Sequence, residues 1–128
     1  MANSIKQKVI LKARPAVVYR MLTNARAHAK FTGAPAKIEA RAGGAFNVWG
    51  GYVLGFNIEL VKNKRIVQAW RGSDWPKGVW SVVTYELRPK AGGKTEIIFS
   101  QHGAPASQVP HLRKGWKSSY WDLMKAAI

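Results

Sequence analysis

The side chains of this chain that could do chemistry are few and dispersed. His28, His102 and His111 fall on a short helix, a strand end and a helix start. They lack the i, i+4 pairing and the carboxylate companions that hold a metal ion, so no metal site is expected. There is no cysteine and no Gly-x-Ser-x-Gly turn to present a nucleophile. Of the six Asp and Glu residues, Glu39, Glu59, Glu86 and Glu96 alternate outward on strands, which leaves Asp74 as the one carboxylate to consider as an acid or base. The pairs Gly43-Gly44, Gly50-Gly51 and Gly92-Gly93 do not precede helices, so they read as hairpin turns rather than phosphate cradles. No catalytic set and no cofactor are expected.

What the sequence does offer is binding chemistry. Trp49, Tyr52, Phe56, Trp70, Tyr85 and Phe99 fall on strands or their turns, and Trp116 and Tyr120 on the final helix. Most of them share a face with Leu, Ile or Val, so plain packing explains them first. A polar minority, Gln68, Ser81 and Gln101, occupies the same faces. A few convergent hydrogen-bonding groups in an apolar lining are what a small-molecule pocket contains. These eleven residues are the expected lining of a site for a hydrophobic or amphipathic ligand. Trp75-Pro76-Lys77-Gly78 reads as a structural turn, with Trp75 a candidate lid at the pocket mouth.

Charge sets the partner classes. Twenty-one Lys and Arg against six acidic residues give a net charge of +15, enough to attract anionic polymers and membrane surfaces weakly and nonspecifically. The basic residues are scattered, with no run of five, and a nucleic-acid reader would gather charge and exposed aromatics into one groove. Specific nucleic-acid recognition is therefore not expected. No stretch approaches the length of a membrane span and the N-terminus has no apolar leader, which reads as a cytoplasmic protein.

The elements that must position these residues follow from periodicity. Ser4 to Leu11 alternates as a strand, with Ile5, Gln7, Val9 and Leu11 inward. Pro15 opens a short helix to Leu22, and a second covers Ala25 to Phe31 before the breaker cluster Thr32-Gly33-Ala34-Pro35. Glycine-punctuated hairpins come next. In the segment from Tyr52 to Val61, the residues Tyr52, Leu54, Phe56, Ile58 and Leu60 share the apolar face expected to point inward. Strands over Arg65 to Arg71, Val79 to Leu87 and Lys94 to His102 complete the sheet. From Pro110 to Ile128, Leu112, Trp116, Ser119, Tyr120, Leu123 and Ala127 recur at helical spacing, one apolar stripe that needs a sheet to lie on. Helices segregated from strands make an α+β protein of one domain, residues 1–128, with no repeat or linker.

Several of these segments together carry a resemblance: Phe31-Thr32-Gly33, the Gly43-Gly44 and Gly50-Gly51-Tyr52 turns, Val67-Gln68-Ala69-Trp70-Arg71, Trp75-Pro76-Lys77-Gly78, Gly115-Trp116 and Tyr120-Trp121. Over nearly its whole length the chain resembles the C-terminal domain family of the activator of heat shock protein 90 ATPase, in the START-like, birch-pollen-allergen-like helix-grip superfamily (SRPBCC). The resemblance implies a curved antiparallel sheet of about six to seven strands wrapped around a long C-terminal helix, with two short helices after the first strand. It also implies a cavity between helix and sheet, which in the wider superfamily holds hydrophobic molecules. The first function expected is thus a ligand-binding module. The alternative is a co-chaperone-like protein-interaction domain with a role in stress response, and a cyclase-like or hydrolase-like enzyme using the same cavity comes third. Lys37, Lys77, Lys90 and Lys114 stand where the family frequently has acidic or neutral residues, so the basic surface is a departure from it.

Overall fold

A computed structural model describes residues 4–128; the first three residues of the expected 1–128 domain lie outside it. Seven strands form one sheet in which every neighbouring pair is antiparallel, in the order β1-β7-β6-β5-β4-β3-β2. The strands are β1 (Ser4–Leu11), β2 (Lys37–Ile38), β3 (Ala45–Val48), β4 (Val53–Val61), β5 (Arg65–Gly72), β6 (Ser81–Lys90) and β7 (Lys94–His102). Two short helices, α1 (Pro15–Thr23) and α2 (Ala25–Thr32), separate β1 from β2. Pro15 sits in the first turn of α1, where its missing N–H is harmless. Asn24 divides the two helices because its side-chain oxygen accepts the Ala27 N–H at 2.9 Å and caps α2.

The C-terminal rod is built in three pieces: α3 (Val109–Trp116), a π-helical turn (Lys117–Trp121) and α4 (Asp122–Ala127). The widened turn changes which residues face inward. Trp116 and Tyr120 are buried as their spacing predicts, but Trp121 and Met124 join them, while Leu123 is only partly covered and Ala127 is exposed. A turn with an extra residue advances the stripe by one position, which a regular 3.6-residue period does not anticipate.

The inner faces of β1, β6 and β7 follow the alternation expected of them, with Ile5, Val9, Leu11, Val83, Tyr85, Leu87, Ile97 and Phe99 buried in the core. Strand β4 does not. Its inward residues are Val53, Gly55 and Asn57, and Phe56 and Ile58 point to solvent. The cross-strand partners supply the reason. Gly55 lies opposite Trp70, and Asn57 opposite Gln68. A Cβ at Gly55 would land on the Ala69 carbonyl and the Phe46 ring, so the missing side chain makes room for bulky neighbours. Asn57 is buried because its amide donates to the Glu39 carbonyl at 2.9 Å and its oxygen accepts from Gln68 at 3.2 Å. The apolar count along β4 therefore marks the outer face, and a bulge after Asn57 interrupts the alternation further on.

Substituting Gly55 by alanine is expected to cost about 1–3 kcal/mol by overpacking. Urea unfolding should show a lower midpoint with an unchanged slope.

Candidate functional site

The helical rod is held against the sheet by polar contacts from three large aromatic residues, each to different elements. Trp116 donates its indole N–H to Gln101 Oε1 on β7 at 2.8 Å, and Trp121 donates to Gln7 Oε1 on β1 at 2.7 Å. The Tyr120 hydroxyl lies 2.9 Å from His28 Nε2 on α2 and accepts the Trp49 indole N–H at 3.2 Å. Around these bonds the rings pack closely. Trp116 has centroids of Phe99 at 4.4 Å, Tyr120 at 4.6 Å and Trp70 at 5.5 Å, within the range of favourable aromatic pairs.

Beside this cluster a pocket of about 360 Å³ opens between the rod and strands β4 and β5, within the size range of small-molecule sites. Trp49, Tyr52, Trp70, Trp116 and Tyr120 all line it. They are five of the eleven residues expected from the sequence. Val53 adds an aliphatic wall, and His111, Leu112, Gly115 and Ser119 form the helix side. Those helix positions escaped the sequence-based selection, although residues 112, 115, 116 and 119 follow i, i+3, i+4, i+7 spacing and mark one face. An added Cβ at Gly115 meets nothing within 4 Å, so the glycine leaves open space at the pocket wall.

Trp49 reaches the pocket through an unusual backbone. Its φ is +56°, followed by +64° at Gly50 and +98° at Gly51. Left-handed geometry costs a bulky residue roughly 1–2 kcal/mol. The two glycines continue the turn without that cost, and the outcome aims the Trp49 N–H at Tyr120. The expected hairpin at Gly50-Gly51 is thus a tight 3-10 turn, Trp49–Gly51, that builds a pocket wall.

The other expected lining residues sit elsewhere. Phe56 is on the outer face of β4, nearly half exposed, for the reason given by Gly55 and Asn57. Gln101 and Ser81 are buried and bonded in series: Gln101 Nε2 donates to Ser81 Oγ at 3.0 Å, and Ser81 donates to the Trp70 carbonyl at 2.7 Å. Gln68 donates to Asn57, while Tyr85 and Phe99 pack beneath Trp116. The three polar residues on inward faces thus have their hydrogen bonds inside the protein. Trp75, the candidate lid, is buried against Trp70 at 5.6 Å. Its loop is fixed by Arg71, whose guanidinium donates to the carbonyls of Trp75 at 2.7 Å, Pro76 at 3.2 Å and Val79 at 3.3 Å. Asp74 lies near Tyr52, whose hydroxyl is pushed above its ordinary pKa by burial first and by this carboxylate second.

His28 is the titratable group that sequence reasoning passed over. It is buried on α2 beside Phe31, with ring centroids 5.0 Å apart, and its Nδ1 has no hydrogen-bond partner. Because the Tyr120 oxygen already accepts from Trp49, its own proton goes to Nε2, which assigns the neutral Nδ1–H tautomer to His28. Burial pushes the His28 pKa down to about 4, and burial drives the Tyr120 hydroxyl well above its ordinary range. Both groups stay neutral at physiological pH. Among the described residues no group of three or more His, Asp or Glu gathers as a metal site, and no helix is long and apolar enough to cross a membrane.

Between the folded pKa of about 4 and an unfolded value of about 6.5, the unfolded chain binds the extra proton. Stability from this group is complete above about pH 6.5 and declines by roughly 3 kcal/mol as pH falls toward 4. Urea unfolding across that range should show the slope in the native protein, and it should flatten in His28→Leu whatever the variant's absolute stability.

Residues 12–128 match the family described as activator of Hsp90 ATPase homolog 1-like protein. The activator of 90 kDa heat shock protein ATPase homolog 1 of Homo sapiens is 36% identical over 111 residues, covering 87% of this chain and 32% of the human protein. The homologous activator of Dictyostelium discoideum is 30% identical over 123 residues, covering 96% of this chain and 32% of its own length. The chain spans about a third of the curated relatives it matches. Among solved structures, an HSP90 activator from Plasmodium falciparum superposes with a TM-score of 0.92 at 22% identity, over 97% of this chain and 94% of that one. A Chromobacterium violaceum protein gives 0.79 at 28% identity, over 100% and 98%. With its sheet wrapped on a C-terminal rod and a family match reaching from residue 12 to residue 128, the chain belongs to the activator of Hsp90 ATPase homolog 1-like family and has the helix-grip fold.

Proposed function

We propose that this chain acts as a protein-interaction domain of the co-chaperone type, binding Hsp90. The observation that carries this reading is the 36% identity to the human ATPase activator across 87% of the chain. The interior agrees with it, since Gln68, Ser81 and Gln101 are committed to internal hydrogen bonds and leave recognition to other surfaces. A net charge of +15 would speed encounter with an acidic partner and make binding sensitive to salt. Calorimetric titration into purified Hsp90 should give a dissociation constant on the order of micromolar at low ionic strength, weakening as salt is raised. Absence of binding at low salt would remove this reading.

A second reading is favoured by the pocket itself. Its volume of about 360 Å³ and its rings from Trp49, Tyr52, Trp70, Trp116 and Tyr120 suit the apolar body of a small amphipathic molecule. The Ser119 and Tyr120 side chains would supply polar contacts. Gly115→Leu tests this cleanly, because the new side chain enters open space while helix propensity improves by about 1 kcal/mol. Native mass spectrometry of gently purified protein should show a small-molecule mass on the native chain and none on Gly115→Leu, with thermal stability undiminished. A native chain that carries no such mass, and whose tryptophan fluorescence ignores a panel of amphipathic compounds, would end the ligand reading.

A further inference from the structure

The outer face of the sheet carries an apolar surface that neither the core nor the pocket uses. Phe56, Ile58, Trp80 and Val82 are each between 41% and 49% exposed. Phe56 and Val82 lie in one cross-strand row through Ala69, and the next row pairs Leu54 with Arg71. The Phe56 and Trp80 rings are 5.9 Å apart, and the Arg71 guanidinium sits 5.6 Å from the Trp80 ring centroid. Arg71 is held there by its three bonds to the loop carbonyls. These rings border a groove of about 800 Å³ that runs to the short edge strand β2, where Ala36 and Ile38 form the other bank and Ala45 and Gly55 keep the floor low.

Charge around the groove is unbalanced. Five of the six carboxylates are occupied by Arg or Lys: Glu39 by Arg41, Glu59 by Arg65, Glu86 by Arg65 and Arg88, Glu96 by Lys90, and Asp122 by Lys117. Among the described residues Lys37 and Arg71, which flank the groove, are in no ion pair.

We propose that this groove docks an acidic amphipathic segment of a partner protein, with apolar side chains set against Phe56 and Trp80 and carboxylates facing Lys37 and Arg71. Exposed aromatic residues and arginine in one patch are the composition of an interaction hot spot. A second copy of this chain is disfavoured because each copy carries +15. A lipid surface cannot follow apolar atoms that line a concavity. Single-stranded nucleic acid stacks on a series of open rings, whereas Trp80 already has Arg71 over its ring and Phe56 alongside, and the rest of the groove is aliphatic. The proposal rests on the interaction-domain reading and adds to it a surface and a partner chemistry.

The probe is a fluorescein-labelled amphipathic helical peptide with leucine on one face and glutamate on the other, followed by fluorescence anisotropy. The native chain should bind it, and a peptide with glutamine in place of glutamate should bind about tenfold more weakly. Lys37→Glu and the double variant Phe56→Ser, Trp80→Ser should each weaken the acidic peptide by about tenfold or more, equivalent to about 1.4 kcal/mol. Circular dichroism should stay native, since the substituted side chains are exposed. The proposal is overturned if the acidic peptide binds all variants alike or does not bind. It is equally overturned if the double variant instead abolishes binding to phosphatidylserine vesicles or oligouridine, or abolishes self-association in the ultracentrifuge. Titrating the same proteins into Hsp90 separates the two claims. Hsp90 binding that survives in the double variant rejects the groove and keeps the interaction-domain reading; peptide capture at the groove without Hsp90 binding does the reverse.

Discussion

A buried indole needs an acceptor, and in this protein that requirement decides how helix and sheet meet. Trp116 is almost wholly enclosed, so leaving its N–H unpaired would cost about 1–3 kcal/mol. Gln101 accepts it, Ser81 accepts from Gln101, and Ser81 donates to the carbonyl of Trp70. One run of bonds thereby joins the rod to β7, β6 and β5 in succession. The second indole, Trp121, makes the equivalent demand on Gln7 in β1, and Gln7 in turn donates to the Arg113 carbonyl at 3.2 Å. Apolar contact alone would let the rod slide or rotate over the sheet at small cost. Directional bonds to two strands and to α2 specify a single seating, and the pocket is the space that this seating leaves beside Gly115.

Much of this architecture can be read in the amino-acid order, and the exceptions have identifiable causes. Alternation in β1, β6 and β7 announces their inner faces because both sides of those strands obey the usual division of apolar and polar. Strand β4 reverses the rule. Its inner face needs a vacancy at Gly55 and an amide at Asn57, and both are dictated by Trp70 and Gln68 on the neighbouring strand. No inspection of β4 by itself could supply that information. The glutamines of β5 and β7 are visible as inward polar residues, but whether they would serve a ligand or a tryptophan depends on contacts as much as 114 residues apart in sequence, as for Gln7 and Trp121. The aromatic pocket residues were legible by type. Gly115, Val53 and Ser119 were not, since a wall made of small side chains leaves no chemical signature.

The two candidate binding surfaces lie on opposite sides of the same strands. Val53 and Trp70 face the pocket, while their neighbours Leu54 and Arg71 face the outer groove. Strand alternation is what allows one hairpin to serve both. The short edge strand β2 and the tight turn at Trp49–Gly51 bound this hairpin on one side, and the loop pinned by Arg71 bounds it on the other. Family membership, fold and charge accordingly converge on the β4–β5 hairpin as the part of the molecule where recognition is concentrated.

The π-helical turn at Lys117–Trp121 sets the phase of everything after it. Downstream of it, Met124 is fully enclosed and Lys125 is exposed. Losing a single residue within the turn would restore an ordinary α-helical pitch and swing the closing segment by about 100° around its axis, carrying a thioether into water and a charged amine toward the aromatic interior. The end of this chain therefore tolerates changes of residue type far more readily than changes of length.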